Sequence, residues 1–409
     1  MAERSIIDHR VLKERLFPNG ASGVTDENDT LRTALLWGPV STETYLASLH
    51  PEDVSLFYDD MDVIGARAEF HGFHQALSEQ GVELAIGRDI LADVEQEPTV
   101  PSIDALADLL LAKAREIEEA HDKYSGKDHE AIIRALLDRD VKRYGEPTAI
   151  ALNEQLALFA SLPLGNIMFA CDQMKFIGEK RVRSRFAFPI RKPEAQLFQQ
   201  IYDQLGMNEC IKVPDGETFE GGDLYIHNGV VYIGVGARTS MGAVKHIFTE
   251  ARGELDKNGL SMAAVVDQKL TGKSRRESMD YMHLDTWSAP LDKRTVMVYP
   301  EEANGRMVAL LSEDRDGAVR VSETGLSYTD FLRRRGSDVI EHDVEEEQRG
   351  FAFNNLCIDD KTVLVANGAN HGLLETLERL GKNVVILDLA ESTKGYGAAH
   401  CMTAQLLRT

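Results

Sequence analysis

Apolar residues along the chain fall into two textures. Leu31 to Trp37 is a short apolar run ending at Gly38-Pro39, the pattern of a buried strand stopped by a turn. Residues 62–79 carry apolar positions at helical spacing, and VELAIGRD at 82–89 returns to strand texture. From Ser102 to about Ala160 the period is helical almost throughout. Ser102 reads as an N-cap with Asp104 in the first turn, where its charge suits the helix dipole. Ile103, Leu106, Leu110 and Ile117 then share one face. Ile132, Ile133, Leu136, Leu137 and Val141 mark a second helix that stops near Gly145. The expectation is a helical module over residues 92–162, inserted into a single α/β catalytic domain spanning 1–409.

After Leu164-Gly165 the texture changes again. NIMFACDQ, DLYIHNGVVYIGVG, AAVVDQ, HLDTWS, TVMVYP and KTVLVANG are short, rich in Val, Ile and Tyr, and bounded by Gly, Asn or Pro, as strands are. Helical stretches such as LLETLERLG at 373–381 lie between some of them. Strand, strand, helix units recur without a sharp sequence repeat. Composition leaves an open sheet and a closed arrangement undecided.

The length of 409 residues allows two or three domains, or one large domain with an insertion. The composition is that of a globular chain, so disorder is excluded. No apolar run reaches the roughly 18–20 residues that span a bilayer. The opening MAERSIIDHR carries charges where a signal peptide needs an apolar stretch, which makes a soluble cytoplasmic protein the expectation. A net charge of −22 argues against binding a nucleic-acid backbone, yet leaves room for a local basic pocket. The cysteines Cys171, Cys210, Cys357 and Cys401 form no CxxC pair, so free thiols are expected, with packing the default role of the first three.

Two tempting motifs fail. TGKS at 271–274 lacks the glycine five residues earlier that a phosphate loop needs, since Asp267 stands there. GVGART at 234–239 has Thr239 in place of the third glycine of a dinucleotide fingerprint. Zinc spacings are absent, so neither metal nor other cofactor is expected. What remains is a set of polar residues in apolar settings: Asn166 and Asp172 flanking NIMFACD, Glu220 and Asp223 bracketing two glycines, His283 and Asp285 two apart on an expected strand, and His400-Cys401 after a small-residue loop. Carboxylates gathered beside a histidine repel unless a cation sits among them. A planar guanidinium matches them in bidentate fashion, a thiolate attacks its carbon, and a histidine moves protons near neutral pH.

These residues also carry a resemblance. LRTALLWGP, SLFYDDMDVIGARAEFHGFHQALSEQGVEL, NIMFACD, PIRKPE, FEGGDLYIHNGVVYIGVGART, MHLDT and GYGAAHCMT, in that order, resemble the arginine deiminases. The resemblance implies a five-bladed α/β-propeller with an inserted helical module. It implies that Cys401 attacks the guanidinium carbon to form an amidino-cysteine, that His283 is the general acid and base, and that Glu220 pairs with it. Asp172 and Asp285 then grip the guanidinium nitrogens, while Asn166, Arg191, Asp223 and Arg238 hold the amino-acid end. LFYDD near Leu56 matches a loop that closes over the site. The implied reaction takes L-arginine or a close guanidino analogue to citrulline, or its ureido counterpart, and ammonia.

One departure bears on the substrate. The family has Gly-Arg-Gly-Gly-Gly-His-Cys before the nucleophile, and this chain reads Gly395-Tyr396-Gly397-Ala398-Ala399-His400-Cys401. Tyr396 cannot supply the arginine's charge; it either fills the space or meets a different substrate group, and it is carried as a substrate-binding candidate. Ala170-Cys171-Asp172 likewise replaces the family's Thr-Arg-Asp. The reaction centre is retained and the grip on the far end is changed. The only partner implied is a small guanidino substrate, with homo-oligomerisation left open. An amidinotransferase using the same intermediate and a non-catalytic guanidine-binding protein are the rival readings.

Overall fold

In a computed structural model of the chain, the structure describes residues 14, 16–17, 22–94, 96–268, 279–368 and 371–409. The 271–274 segment that fails as a phosphate loop lies outside them.

One unit recurs in five sheets among the described residues, and together they make a mixed α/β fold. Met174–Ile177 pairs antiparallel with Lys180–Arg183, the helix Lys192–Gln204 crosses over, and Ile211–Lys212 returns parallel to the middle strand. The same order joins Leu224–His227, Val230–Val235 and Ser261–Asp267, then Ser288–Pro290, Thr295–Val298 and Asp338–Glu341, then Leu356–Cys357, Thr362–Ala366 and Asn383–Leu387. In the remaining sheet Leu31–Leu36 pairs parallel with Glu83–Ile86 across the helix Val63–Glu79. Its antiparallel partner is Ala404–Arg408, the last strand of the chain. One sheet departs from three strands: the hairpin Arg306–Glu313/Val319–Ser327 adds to Ser261–Asp267 and extends that sheet to five.

Middle strands such as Val230–Val235 and Thr362–Ala366 are almost wholly buried, which is why they read as continuous apolar runs. The turn before Val230–Val235 is Asn228-Gly229, with φ of 48° and 71°, the left-handed pair that a two-residue hairpin requires.

Two sequence expectations are corrected. NIMFACD is not a strand but two 3₁₀ turns, Gly165–Met168 and Ala170–Gln173. The run is apolar because it is buried, and periodicity cannot separate that from pairing. His283 and Asp285 likewise sit at a 3₁₀ turn, Leu284–Thr286, with the strand Ser288–Pro290 only beyond it.

The helical block comprises Ile103–His121, His129–Tyr144 and a third helix, Glu146–Ala157, which restarts at Gly145. A buried polar knot fastens it to the segments around the Leu31–Leu36 sheet. Asp140 accepts from Arg88 through both oxygens (3.1 Å each), from Ser41 (2.7 Å) and from Asn153 (3.0 Å), and Arg67 lies 2.9 Å away. Burial pushes the Asp140 carboxyl up, but Arg88 and Arg67 outweigh it and hold the group near about 2. Asp140→Ala leaves the buried Arg67 without its carboxylate and Arg88 with Glu43 alone, 3.4 Å away, and is expected to cost about 3–5 kcal/mol. A lowered denaturant midpoint at unchanged slope checks it; a midpoint equal to the parent's would show the knot to be dispensable.

Candidate functional site

The four stretches that stood out in the sequence converge. Ala170–Gln173, Gly221–Asp223, Leu284–Thr286 and the loop Tyr396–Cys401 each end a short 3₁₀ turn or tight loop, and their side chains share one buried pocket. Short turns of this kind place a carboxylate beside backbone without committing it to a ladder.

Cys401 is 1% exposed. Its Sγ accepts from Asn354 Nδ2 (3.0 Å) and lies 3.5 Å from Asp285 Oδ2. His283 is fully buried, with Nε2 2.9 Å from Glu220 Oε2 and Nδ1 3.6 Å from Asp172 Oδ1. Asp285 Oδ2 is 2.7 Å from His400 Nδ1. Asp223 accepts from Thr239 Oγ1 (2.6 Å) and from the Leu284 amide (3.2 Å), so it anchors the turn carrying Asp285.

Several buried atoms in this pocket have no hydrogen-bond partner: Asp172 Oδ1, Asp285 Oδ1, His283 Nδ1 and Arg238 Nη1. Buried polar atoms are rarely left so, and two orphan carboxylate oxygens beside a thiol describe an acceptor set without its donor. Gly222 keeps the space open. A Cβ there would stand 2.5 Å from His283 Nδ1 and 3.0 Å from Asp285 Oδ1. Gly222→Ala must therefore shift one of them, and a shift of that size is expected to lower kcat/KM by about 100-fold or more. Steady-state rates with a folded variant check it; parent-like kinetics would mean that neither group needs its position.

Electrostatics follow from burial and company. For His283, burial disfavours the charged form, yet Asp172 and the bond to Glu220 outweigh it and lift the imidazole to about 9. Glu220 is buried too, but Arg238, His283 and Arg191 bring it down to about 2. Burial raises Asp223 to about 7, and the nearby His283 only moderates this. Burial and the carboxylates Asp285 and Asp172 push the Cys401 thiol well up. Without a cation between them, the thiol stays protonated.

The residues expected at the substrate's far end are placed differently from one another. Arg191 is 3% exposed and already engaged: Nη1 donates to Asp172 Oδ2 (2.9 Å), Nε to Glu194 (2.9 Å) and Nη2 to the Asn166 carbonyl (3.3 Å). Arg238 lies over the Phe188 ring at 4.1 Å, with Nη1 3.6 Å from Glu220 and Nη2 against Met279 and Met282 sulfurs. Asn166 donates to the Ser55 carbonyl (3.3 Å), which ties the pocket to the segment before LFYDD. Tyr396 is buried in the left-handed region (φ 68°), its hydroxyl donating to Glu52 Oε1 (2.7 Å) and its ring 5.2 Å from Tyr58 of LFYDD.

The sequence reading overlooked Asn354. Its side-chain oxygen accepts from the amides of Ala398 (2.8 Å) and Cys401 (3.0 Å), while its nitrogen reaches Cys401 Sγ and the Asp285 carbonyl. One amide thus clamps the Cys401 loop to the Asp285 turn. Its signal was an Asn-Asn pair within the apolar stretch FAFNNLC. Cys171, Asp285 and His400 also lie close enough for their ligand atoms to share an ion, all within 4.8 Å. Lys175, buried and facing Cys171 and Asp285, already brings a positive charge there.

Comparison with known proteins places the chain. The sequence profile described as arginine deiminase matches residues 54–408. Arginine deiminase of Clostridium perfringens is 24% identical over 420 aligned residues, covering 95% of this chain and 98% of the relative. A DDAH of Pseudomonas aeruginosa complexed with citrulline superposes with a TM-score of 0.54 at 15% identity, covering 93% of this chain and 100% of that one. An amidinotransferase of Microseira wollei superposes at 0.52 with 12% identity, covering 95% and 97%. No described helix is long and apolar enough to cross a membrane. The chain belongs to the arginine deiminase family of amidine hydrolases.

Proposed function

We propose that this protein hydrolyses the guanidino group of L-arginine or a close analogue, giving the ureido product and ammonia. The observation that carries the reading is the pair of orphan buried oxygens, Asp172 Oδ1 and Asp285 Oδ1, beside the Cys401 thiol and His283. A guanidinium supplies the missing donors to both carboxylates. Its charge also offsets the carboxylates that hold the thiol up, so binding itself favours the thiolate.

Cys401 Sγ then attacks the guanidinium carbon. The carbon–nitrogen bond breaks as the imidazolium of His283 protonates the departing nitrogen, which leaves as ammonia. The neutral imidazole next takes a proton from water, and the resulting hydroxide adds to the amidino-cysteine. Collapse expels the Cys401 sulfur, which takes the hydroxyl proton and returns to the thiol, and leaves the ureido oxygen. Glu220 keeps His283 oriented and charged, and Asn354 keeps the sulfur on the Asp285 side. No step calls on a cofactor.

The far end of the substrate is set by Asn166, Arg191, Asp223, Arg238 and Tyr396, with LFYDD as the cover. Arg191 and Arg238 remain the carboxylate-binding candidates, although both face the catalytic carboxylates here. Tyr396, held by Glu52, brings no charge to the place of the family's arginine. Around this site we read the five sheets as five blades, closed by the pairing of Ala404–Arg408 with Leu31–Leu36, and residues 92–162 as an insertion between two of them.

Ammonia release from free arginine, agmatine, arginine amide, canavanine and a short guanidino acid tests the reading. Turnover of arginine makes the chain a true deiminase with Tyr396 compensated. Turnover of another member with arginine poor assigns the change to the altered loop. Ammonia release that appears nowhere, with amidino transfer to an added amine, would establish the transferase instead. Stoichiometric binding without any turnover would leave a guanidine-binding protein.

A further inference from the structure

We infer that a basic cleft behind the catalytic wall binds a phosphate-bearing small molecule of about nucleotide size, and that its occupancy is transmitted to Glu220.

The cleft has a volume of about 590 Å³ and is bordered by Arg183, Arg185, Lys192 and Lys212. That volume lies in the range of sites for small organic ligands. The charges are placed there by the sheet itself. Lys180–Arg183 and Ile211–Lys212 are parallel neighbours, and their register sets Arg183 directly beside Lys212. Like charges opposed across a ladder destabilise it. The chain has carboxylates to spare, 67 against 45 basic residues, yet among the described residues Arg183, Lys192 and Lys212 have no carboxylate partner. Only Arg185 has one, Asp215. Three unpaired cations in a strongly acidic protein leave a local repulsion that an anion relieves.

Two further features point the same way. Lys192 opens the 13-residue helix Lys192–Gln204, whose first turn borders the cleft and presents the positive end of its dipole. Ser184, 4% exposed and on the cleft wall, has a buried hydroxyl with no hydrogen-bond partner. Phosphate oxygens accept from such groups, whereas a carboxylate alone would use fewer of them. Phe186, Val213 and Pro214 give the wall an apolar stretch that accommodates a base or another flat organic part, beside Gln196 and the Asp215 carboxylate that pairs with Arg185.

The wall is shared with the catalytic pocket. Arg185 and Phe219 exchange both backbone hydrogen bonds (2.9 Å each) as an isolated bridge, which fixes the segment leading into Glu220. Phe186 lies under the Arg191 guanidinium at 4.1 Å, and the Ala187 amide donates to Glu220 Oε1 (3.0 Å). A ligand that moves the segment 184–187 moves a hydrogen bond to Glu220. This second half of the inference rests on Glu220 being the partner of His283 in catalysis; the first half does not.

Calorimetric titration of the full chain with ATP, pyrophosphate and inorganic phosphate tests it. Saturable one-to-one binding of ATP or pyrophosphate is expected, weakening as salt is raised. R183E/K212E, with a parent-like melting curve, is expected to bind about tenfold more weakly or worse, as two charge-assisted contacts are lost. The milder Lys212→Gln weakens binding less, and Lys142→Glu on the helical block leaves it unchanged. ATP tighter than pyrophosphate assigns the apolar wall to the base; equal affinities assign binding to phosphate alone, which removes the nucleotide-sized part of the inference. No binding of any of the three, or binding equal in parent and R183E/K212E, overturns the site. Saturating ATP is further expected to alter the parent's kcat/KM or its pH profile for guanidine hydrolysis, with no effect in R183E/K212E. Binding with an unchanged profile overturns the coupling alone, and absence of any guanidine turnover would defeat the catalytic reading while the titration still decides the cleft.

Discussion

Cys401→Ala is expected to abolish guanidine turnover, by about 10⁴-fold or more, while the guanidine still binds. The rate loss follows from the chemistry: without sulfur there is no covalent route, and the remaining groups supply only positioning and proton transfer. Retention of binding follows from the geometry. The orphan oxygens of Asp172 and Asp285 are untouched, and Asn354 still ties residues 398 and 401 through their backbone amides. Removing the thiol also removes a proton that competes for Asp285, 3.5 Å away. Ammonia release and equilibrium titration with the best substrate of the panel measure the two effects separately. Parent-like turnover would show that Cys401 is not the nucleophile. Loss of binding with an intact melting curve would show that the thiol, and not the carboxylate pair, holds the substrate.

How much of this was legible beforehand differs between fold and site. The strands Leu31–Leu36, Glu83–Ile86, Thr295–Val298 and Thr362–Ala366 and the helix Val63–Glu79 stand where the apolar pattern put them, because the strands are short apolar runs, most of them buried on both faces, and the helix buries its apolar stripe. The ββαβ order was only half visible, since the repeat lies in connectivity and not in residue identity. Ala404–Arg408 completes a sheet begun at Leu31, and no local pattern announces a partner 370 or so residues away. The candidate site residues stood out as polar residues set in apolar stretches, but their local structure did not. Asp172, Asp223 and Asp285 all sit on 3₁₀ turns, which carry no period of their own at three or four residues. Asn354 stayed hidden for another reason: a structural amide and a clamp on a candidate site read alike until Ala398 and Cys401 are seen to share its oxygen.

Glu220→Gln is expected to move the basic limb of the pH–rate profile to lower pH. Burial alone would depress the imidazole of His283, and it stands at about 9 only because Asp172 and Glu220 more than compensate. At neutral pH it is therefore the imidazolium, the form that can protonate the departing nitrogen, and activity that needs this form falls as pH rises through that value. Taking the charge from Glu220 removes the carboxylate 2.9 Å from Nε2, so the imidazole loses its proton at lower pH. Arg191 and Arg238, at 3.7 and 3.6 Å from the same oxygen, lose their counter-charge as well and repel the imidazolium, so both changes have one sign. His283→Gln has no such group and is expected to lose about 10²–10⁴-fold with the limb gone. Profiles of kcat/KM for the three proteins over the accessible pH range decide it. A limb in Glu220→Gln that coincides with the parent's would mean that the titrating acid is another group. A limb moved to higher pH would mean that Glu220 does not hold His283 in its charged form.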